Sequence, residues 1–206
     1  SATLVSNFGG LVQGVGAAWA MTTLTTSPAL IALVQASTTL PIMLFALAAG
    51  ALADNFDRRR LMLAAQAFMA LASTGLAVVA LMGGLTPWVL LTFTFLIGMG
   101  GAMHNPPWQA TMGDLVPRED LPGAVTLNSV GFNLMRSVGP AAGGVIVAGL
   151  GAAATFLINA VSYIPLLFAL HRWRAPQTPR VTSPEPFLPA VGAGLRYVAM
   201  SPNLLR

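Results

Sequence analysis

The chain has 206 residues, 55% of them hydrophobic and only 8% charged, with a mean hydropathy of +0.74, whereas a soluble domain is about 25% charged. Ten Arg and no Lys face six Asp and Glu, for a net charge of +4, and no basic stripe is interleaved with aromatics. An ordinary soluble domain, a disordered tail and a nucleic-acid surface are therefore excluded, and the absence of Cys removes disulfides and thiolate metal sites, leaving an all-α integral membrane protein.

Charge-free blocks set the expected topology. Residues 1–53 and 61–113 contain no Asp, Glu, Lys or Arg, and residues 121–171 contain only Arg136. A transmembrane helix needs about 20 apolar residues, so each block suits two spans. Turn residues divide them: Thr25-Thr26-Ser27-Pro28, Gly83-Gly84-Leu85-Thr86-Pro87 and Gly149-Leu150-Gly151. The sequence predicts spans at 2–24, 29–53, 61–82, 88–112, 122–149 and 152–171, paired as three helical hairpins. Arg58, Arg59, Arg60, Arg118, Arg172, Arg174, Arg180, Arg196 and Arg206 all fall on the hairpin-base side, and the opposite turns carry no Arg. The positive-inside rule makes the base side cytoplasmic. Ser1 follows no Met and no basic leader, so no signal peptide is expected and the start reads as trimmed.

The first span carries a stripe of Thr3, Ser6, Asn7, Gly10, Gln13, Gly14 and Ala17 within about one third of its circumference. Asn7 and Gln13 are candidate hydrogen-bonding groups on a cavity wall; close packing through small residues explains the glycines equally well. Trp19 suits interfacial anchoring. Between spans two and three, Gly50 would let helices approach closely. Asp54 is expected near the start of the third helix, where a carboxylate meets the positive helix end. The run Arg58-Arg59-Arg60 can pair with acids or anchor to anionic lipid.

Span four holds Gly98-Met99-Gly100-Gly101 and then His104-Asn105-Pro106-Pro107. The glycines suit packing, because no strand or Lys stands at phosphate-loop spacing. His104 and His171 lack partners at metal spacing, so no metal and no cofactor are expected. Span five places Thr126, Ser129, Asn133, Arg136, Ser137, Pro140 and Gly143 on one polar or small arc. Arg136 sits near the bilayer midplane, where a charge costs a few kcal/mol and usually faces a cavity or a partner. Ser129, Asn133 and Arg136 are therefore candidate substrate-binding residues, with pairing to a carboxylate or carbonyl as the structural alternative for Arg136. Pro140 removes a backbone donor and would bend the helix. After span six, residues 172–206 read as a Pro-rich cytoplasmic linker with a short amphipathic helix over 187–200, leading to further protein.

Gly50, Leu52, Ala53 and Asp54, followed by Arg58 and Arg59, resemble motif A of the major facilitator superfamily in its usual loop. Gly139-Pro140-Ala141-Ala142-Gly143-Gly144 resembles the core of its motif C. With Asn133, Arg136 and the segment Leu115-Val116-Pro117-Arg118, the chain is most similar to the branch of enterobactin exporters and macrolide efflux proteins. The resemblance implies the amino-terminal half of a twelve-helix fold, with a 3+3 inverted repeat and a second six-helix half. It also implies a cytoplasmic latch of Gly50, Asp54, Arg58, Arg59 and Asp114, and a helix-bend motif of Gly139, Pro140, Gly143 and Gly144. Asn55, Asp57, Thr94 and Met135 depart from the usual motif residues, and no Asp or Glu lies inside a span.

The implied function is secondary transport, with export of a siderophore or an amphiphilic drug across a bacterial inner membrane. The expected partners are membrane lipid, a small-molecule substrate and the second half, with no nucleic acid. A six-helix channel or a structural bundle is the alternative. An intramembrane serine protease is disfavoured, since no Gly-x-Ser-Gly occurs and neither His accompanies a nucleophile.

Overall fold

The computed structural model describes residues 2–173, with the side chains of residues 46–48, 51–55 and 114 left out. The linker and amphipathic helix expected after residue 173 lie outside the described residues. Six α-helices run through the described chain: α1 (Ala2–Leu24), α2 (Pro28–Asn55), α3 (Arg58–Leu81), α4 (Pro87–Leu115), α5 (Leu121–Leu150) and α6 (Ala152–Arg172). Four of them contain segments long and apolar enough to cross a membrane: Pro28–Phe45, Arg58–Leu81, Pro87–Gly113 and Ala152–Arg172. The other two, α1 and α5, have the length but carry the Gly, Ser, Asn, Gln and Arg stripes that lower their hydropathy.

Local chemistry sets the helix ends. Asp57 caps α3, its Oδ1 accepting from Arg60 N at 3.0 Å. Asp54 lies in the last turn of α2 instead of near the start of α3, so the carboxylate at the positive helix end belongs to Asp57. Thr86 caps α4 by accepting from Val89 N at 3.3 Å, and Pro87 follows at the first helical position. The turns at Gly83 (φ 73°) and Gly151 (φ 79°) need the left-handed backbone that glycine adopts without steric cost.

Most of the packing is between helices that are not sequence neighbours. Only α3 and α4 are sequence neighbours that pack extensively; α1 touches α2 little, and α5 touches α6 little. The main partners are α2 with α4, α1 with α5, α1 with α6, α3 with α4, and α3 with α6. This pattern is unchanged when α1–α3 are exchanged with α4–α6. The first three helices and the last three thus occupy equivalent places. Direction follows the same symmetry. Leu4, Leu11 and Val15 of α1 face Gly131, Gly139 and Gly143 of α5, a parallel pair. Ser37 of α2 meets Thr94 of α4 and Thr38 meets Gly98, also parallel.

Small residues choose these partners, because short turns tie only the helix ends. A Cβ at Gly98 would stand 2.6 Å from the Thr38 carbonyl oxygen, so only glycine lets α2 and α4 approach this closely. Gly9 and Gly16 bring α1 against Ser162 and Thr155 of α6 in the same way. Among the described residues, nothing stands within 4 Å of a Cβ at Gly50. The largest apolar core, including Met21, Leu76, Leu90 and Phe156, lies toward the turns after α1 and α3. A smaller cluster of Met62, Leu166 and Leu170 lies toward the Arg-bearing end.

A polar groove between helices α1, α4 and α5

Because α1 is held by α5 and α6, and α4 by α2 and α3, the pairs α1/α4 and α4/α5 pack sparsely. A groove of about 710 Å³ opens between them. Its walls are Thr3 and Asn7 of α1; His104, Asn105, Trp108, Gln109, Ala110, Met112 and Gly113 of α4; and Leu121, Val125, Asn128, Ser129 and Phe132 of α5. A second hollow of about 240 Å³ shares Thr3, Trp108, Met112 and Asn128 and adds Leu4, Leu115 and Leu127. Amides and aromatics therefore alternate with aliphatic side chains along the same surface. This combination can hydrogen-bond the polar groups of an organic molecule and pack against its apolar body.

Two of the expected substrate-binding residues, Asn7 and Ser129, line this groove. Asn133 and Arg136 continue the exposed face of α5 beyond it. Asn133 Nδ2 donates to the Ser129 carbonyl at 2.9 Å, and Ser137 Oγ donates to the Asn133 carbonyl at 3.2 Å. The Arg136 guanidinium carbon lies 5.9 Å from the ring centroid of Phe132, a groove residue. Among the described residues it has no carboxylate partner. Gly139 and Gly143 pack on α1, whereas Gly144 has open space and Pro140 is exposed.

Gln13 is a correction. It is 4% exposed and faces α3 and α6, away from the groove. Its Oε1 accepts from Ser73 Oγ at 2.7 Å and from Asn159 Nδ2. Asn159 Nδ2 also lies 3.2 Å from Ser73 Oγ and 3.1 Å from the Tyr163 hydroxyl oxygen. Two amide protons thus meet three acceptors, all buried. The stripe on α1 straddles two faces: Ser6, Gln13 and Ala17 are buried, while Gly10 and Gly14 are exposed and Asn7 meets the groove.

At the Arg-bearing end, Arg59 reaches from α3 to the last turn of α6. Its Nε donates to the Leu170 carbonyl at 2.8 Å and its Nη2 to the His171 carbonyl. Arg58 Nη1 donates to the Ala110 carbonyl of α4 at 3.3 Å. The Asp54 and Asp114 side chains lie outside the described residues. No group of three His, Cys, Asp or Glu occurs among the described residues. The groove residues that sequence reasoning passed over are His104, Asn105, Trp108, Gln109 and Asn128. Their signal was the spacing of His104, Asn105, Trp108 and Gln109 on one helical face.

A chain whose described residues form only helices, four of them apolar enough to cross a membrane, is a multi-pass membrane protein. It matches the transmembrane secretion effector family over residues 1–206 and belongs to that family of the major facilitator superfamily. It is 30% identical over 164 residues to the staphyloferrin A transporter of Staphylococcus aureus, covering 79% of this chain and 41% of the relative. It is 27% identical to the multidrug efflux pump Tap of Mycobacterium tuberculosis, covering 96% and 49%. It is 35% identical over 82 residues to macrolide efflux protein A of Enterococcus faecalis, covering 40% and 25%. These relatives are transporters, not enzymes. The chain spans at most about half the length of each.

Proposed function

We propose that the chain supplies one wall of the pathway of an exporter for small organic molecules, a siderophore or an amphiphilic drug. All six helices cross a bacterial inner membrane, with the Arg-bearing end in the cytoplasm. A second six-helix bundle faces α1, α4 and α5 and closes the groove, and the two bundles rock about it to expose it to each side in turn. Asn7, Asn128 and Ser129 offer hydrogen bonds, Trp108 and Phe132 offer flat apolar surface, and Arg136 attracts acidic groups.

The observation that carries this reading is the groove itself: amides and aromatics facing an opening between sparsely packed helices. The names of the relatives support efflux as the direction. The test is transport by the full-length protein in everted vesicles, using a dye of the drug class and a catecholate siderophore as probes. Saturable accumulation of either that Asn7→Leu and Ser129→Leu abolish supports the exporter. Ion flux that no organic molecule saturates or inhibits favours a channel instead.

A further inference from the structure

His104 stands in the α4 wall of the groove and is 6% exposed. Its Nδ1 is sealed from solvent and has no hydrogen-bond partner among the described residues. Trp108, one turn on, stacks on it with ring centroids 6.2 Å apart and planes 16° from parallel. Both side chains line the same opening. A buried polar atom left without a partner costs free energy, so the protonation of the ring is expected to leave the cheaper group unpaired.

We infer that His104 and Trp108 form a donor subsite for an anionic oxygen, such as a carboxylate attached to a flat apolar body. This rests on the groove being a ligand pathway. Unpaired buried donors are rarer than unpaired buried acceptors, so the imidazole proton belongs on Nε2 and the bare lone pair on the sealed Nδ1. The Nε2 edge of this groove-lining residue, which is not sealed and unpartnered as Nδ1 is, then presents an N–H. The indole of Trp108 is a donor and never an acceptor. Two ring donors thus stand on one helical face, and their stacked planes offer a surface for an apolar group. Arg136, over the groove residue Phe132 and just beyond the opening, adds positive charge nearby. Carboxylates gain most from such donors, because hydrogen bonds to an ionised acceptor are about twice as strong as neutral ones.

The test uses the full-length transporter in detergent and equilibrium dialysis with three probes: 1-naphthoate, the neutral 1-naphthamide, and the cation 1-naphthylmethylamine. The wild type is expected to bind naphthoate most tightly. His104→Phe keeps a ring on Trp108 but removes the N–H. It should weaken naphthoate about tenfold or more, while leaving the amine within about twofold. His104→Gln, which restores an N–H, should recover part of the loss. Three results overturn the subsite: no saturable naphthoate binding by the wild type, unchanged naphthoate affinity in His104→Phe, or equal loss of all three probes without rescue by Gln. The groove is tested separately by Asn7→Leu and Ser129→Leu. Naphthoate binding lost in those variants but kept in His104→Phe removes the subsite and leaves the groove. Binding that survives in all of them removes the groove as well.

Discussion

Ser73 on α3 and Gln13 on α1 are joined by a 2.7 Å hydrogen bond, and the Gln13 oxygen that accepts it also accepts from Asn159 on α6. One amide oxygen therefore ties three helices together where no water competes. Bonds of this kind between membrane helices contribute about 0.6 kcal/mol on average and up to about 2. Gln13→Leu removes the acceptor that Ser73 and Asn159 share, leaving Ser73 only the Phe156 carbonyl and Asn159 only the Ser73 and Tyr163 oxygens. It is expected to lower the stability of the detergent-solubilised protein by about 1–2 kcal/mol, read as a lower melting temperature. Ligand affinity per folded molecule should not change, because Gln13 faces away from the groove. A variant that melts like the wild type and loses ligand affinity would return Gln13 to a cavity wall.

The α2/α4 contact makes a sharper prediction. A Cβ at Gly98 would meet the carbonyl oxygen, carbonyl carbon and Cα of Thr38 at 2.6–3.1 Å. These are backbone atoms, which cannot rotate aside as a flexible side chain can. Gly98→Ala is expected to cost about 1–3 kcal/mol, although alanine is the better helix former by about 1 kcal/mol. Gly101→Ala on the same helix meets nothing within 4 Å and should be neutral or stabilising. Thermal melts of the two variants compare these opposite signs directly.

The Arg-bearing end contributes a prediction about local order. Arg59 donates to the Leu170 and His171 carbonyls at the end of α6, which no intrahelical donor reaches. Its charge also meets the negative end of that helix, an interaction worth about 0.3–2 kcal/mol. Arg59→Ala should therefore speed amide hydrogen exchange at residues 170–173 by up to about tenfold, with little change in α1. Arg59→Lys should protect only partly, since a single ammonium cannot reproduce the planar fork. Unchanged exchange in Arg59→Ala would show that the contact holds nothing in place.

How far the sequence foretells this molecule depends on the kind of pattern asked of it. The charge-free blocks and the Gly, Pro and Thr turns point to six helices, because a helix in lipid must be long and apolar and a turn must satisfy its backbone. Partner choice is harder to read. Gly9, Gly16, Gly98 and Gly139 look alike in the sequence, and only their neighbours reveal which helix each one admits. The stripe on α1 failed for a related reason: an arc of one third of a helix is wide enough to serve two interfaces, so Gln13 and Asn7 point to different places. On α4, the glycines read as packing residues and His104 is weighed only as a metal ligand. The face of His104, Asn105, Trp108 and Gln109 that meets the groove was legible at helical spacing all the same. Asp54, expected in the loop near the start of the third helix, lies in α2, because that helix extends through Asn55 and leaves Asp57 as the cap.

The last prediction concerns the charge on α5. Arg136 lies exposed one turn beyond Phe132, with its guanidinium over that ring and no carboxylate partner among the described residues. A cation kept near the bilayer midplane for structure alone would be expected to bury itself against an acid, whereas this one faces the side of the bundle that carries the groove. In the full-length protein, Arg136→Ala should reduce transport of an acidic substrate about tenfold or more, with normal amounts of protein in the membrane. Arg136→Lys should retain part of the activity, as it keeps the charge and loses the planar stack on Phe132. Phe132→Leu should have a smaller effect, about two- to fivefold, matching the loss of an exposed cation–π contact of about 0.5–1 kcal/mol. Initial-rate measurements separate these effects: a raised KM with unchanged kcat marks a group that binds the substrate, and a lowered kcat marks one that acts on the moving state. Transport by Arg136→Ala at the wild-type rate and KM would remove Arg136 from the pathway.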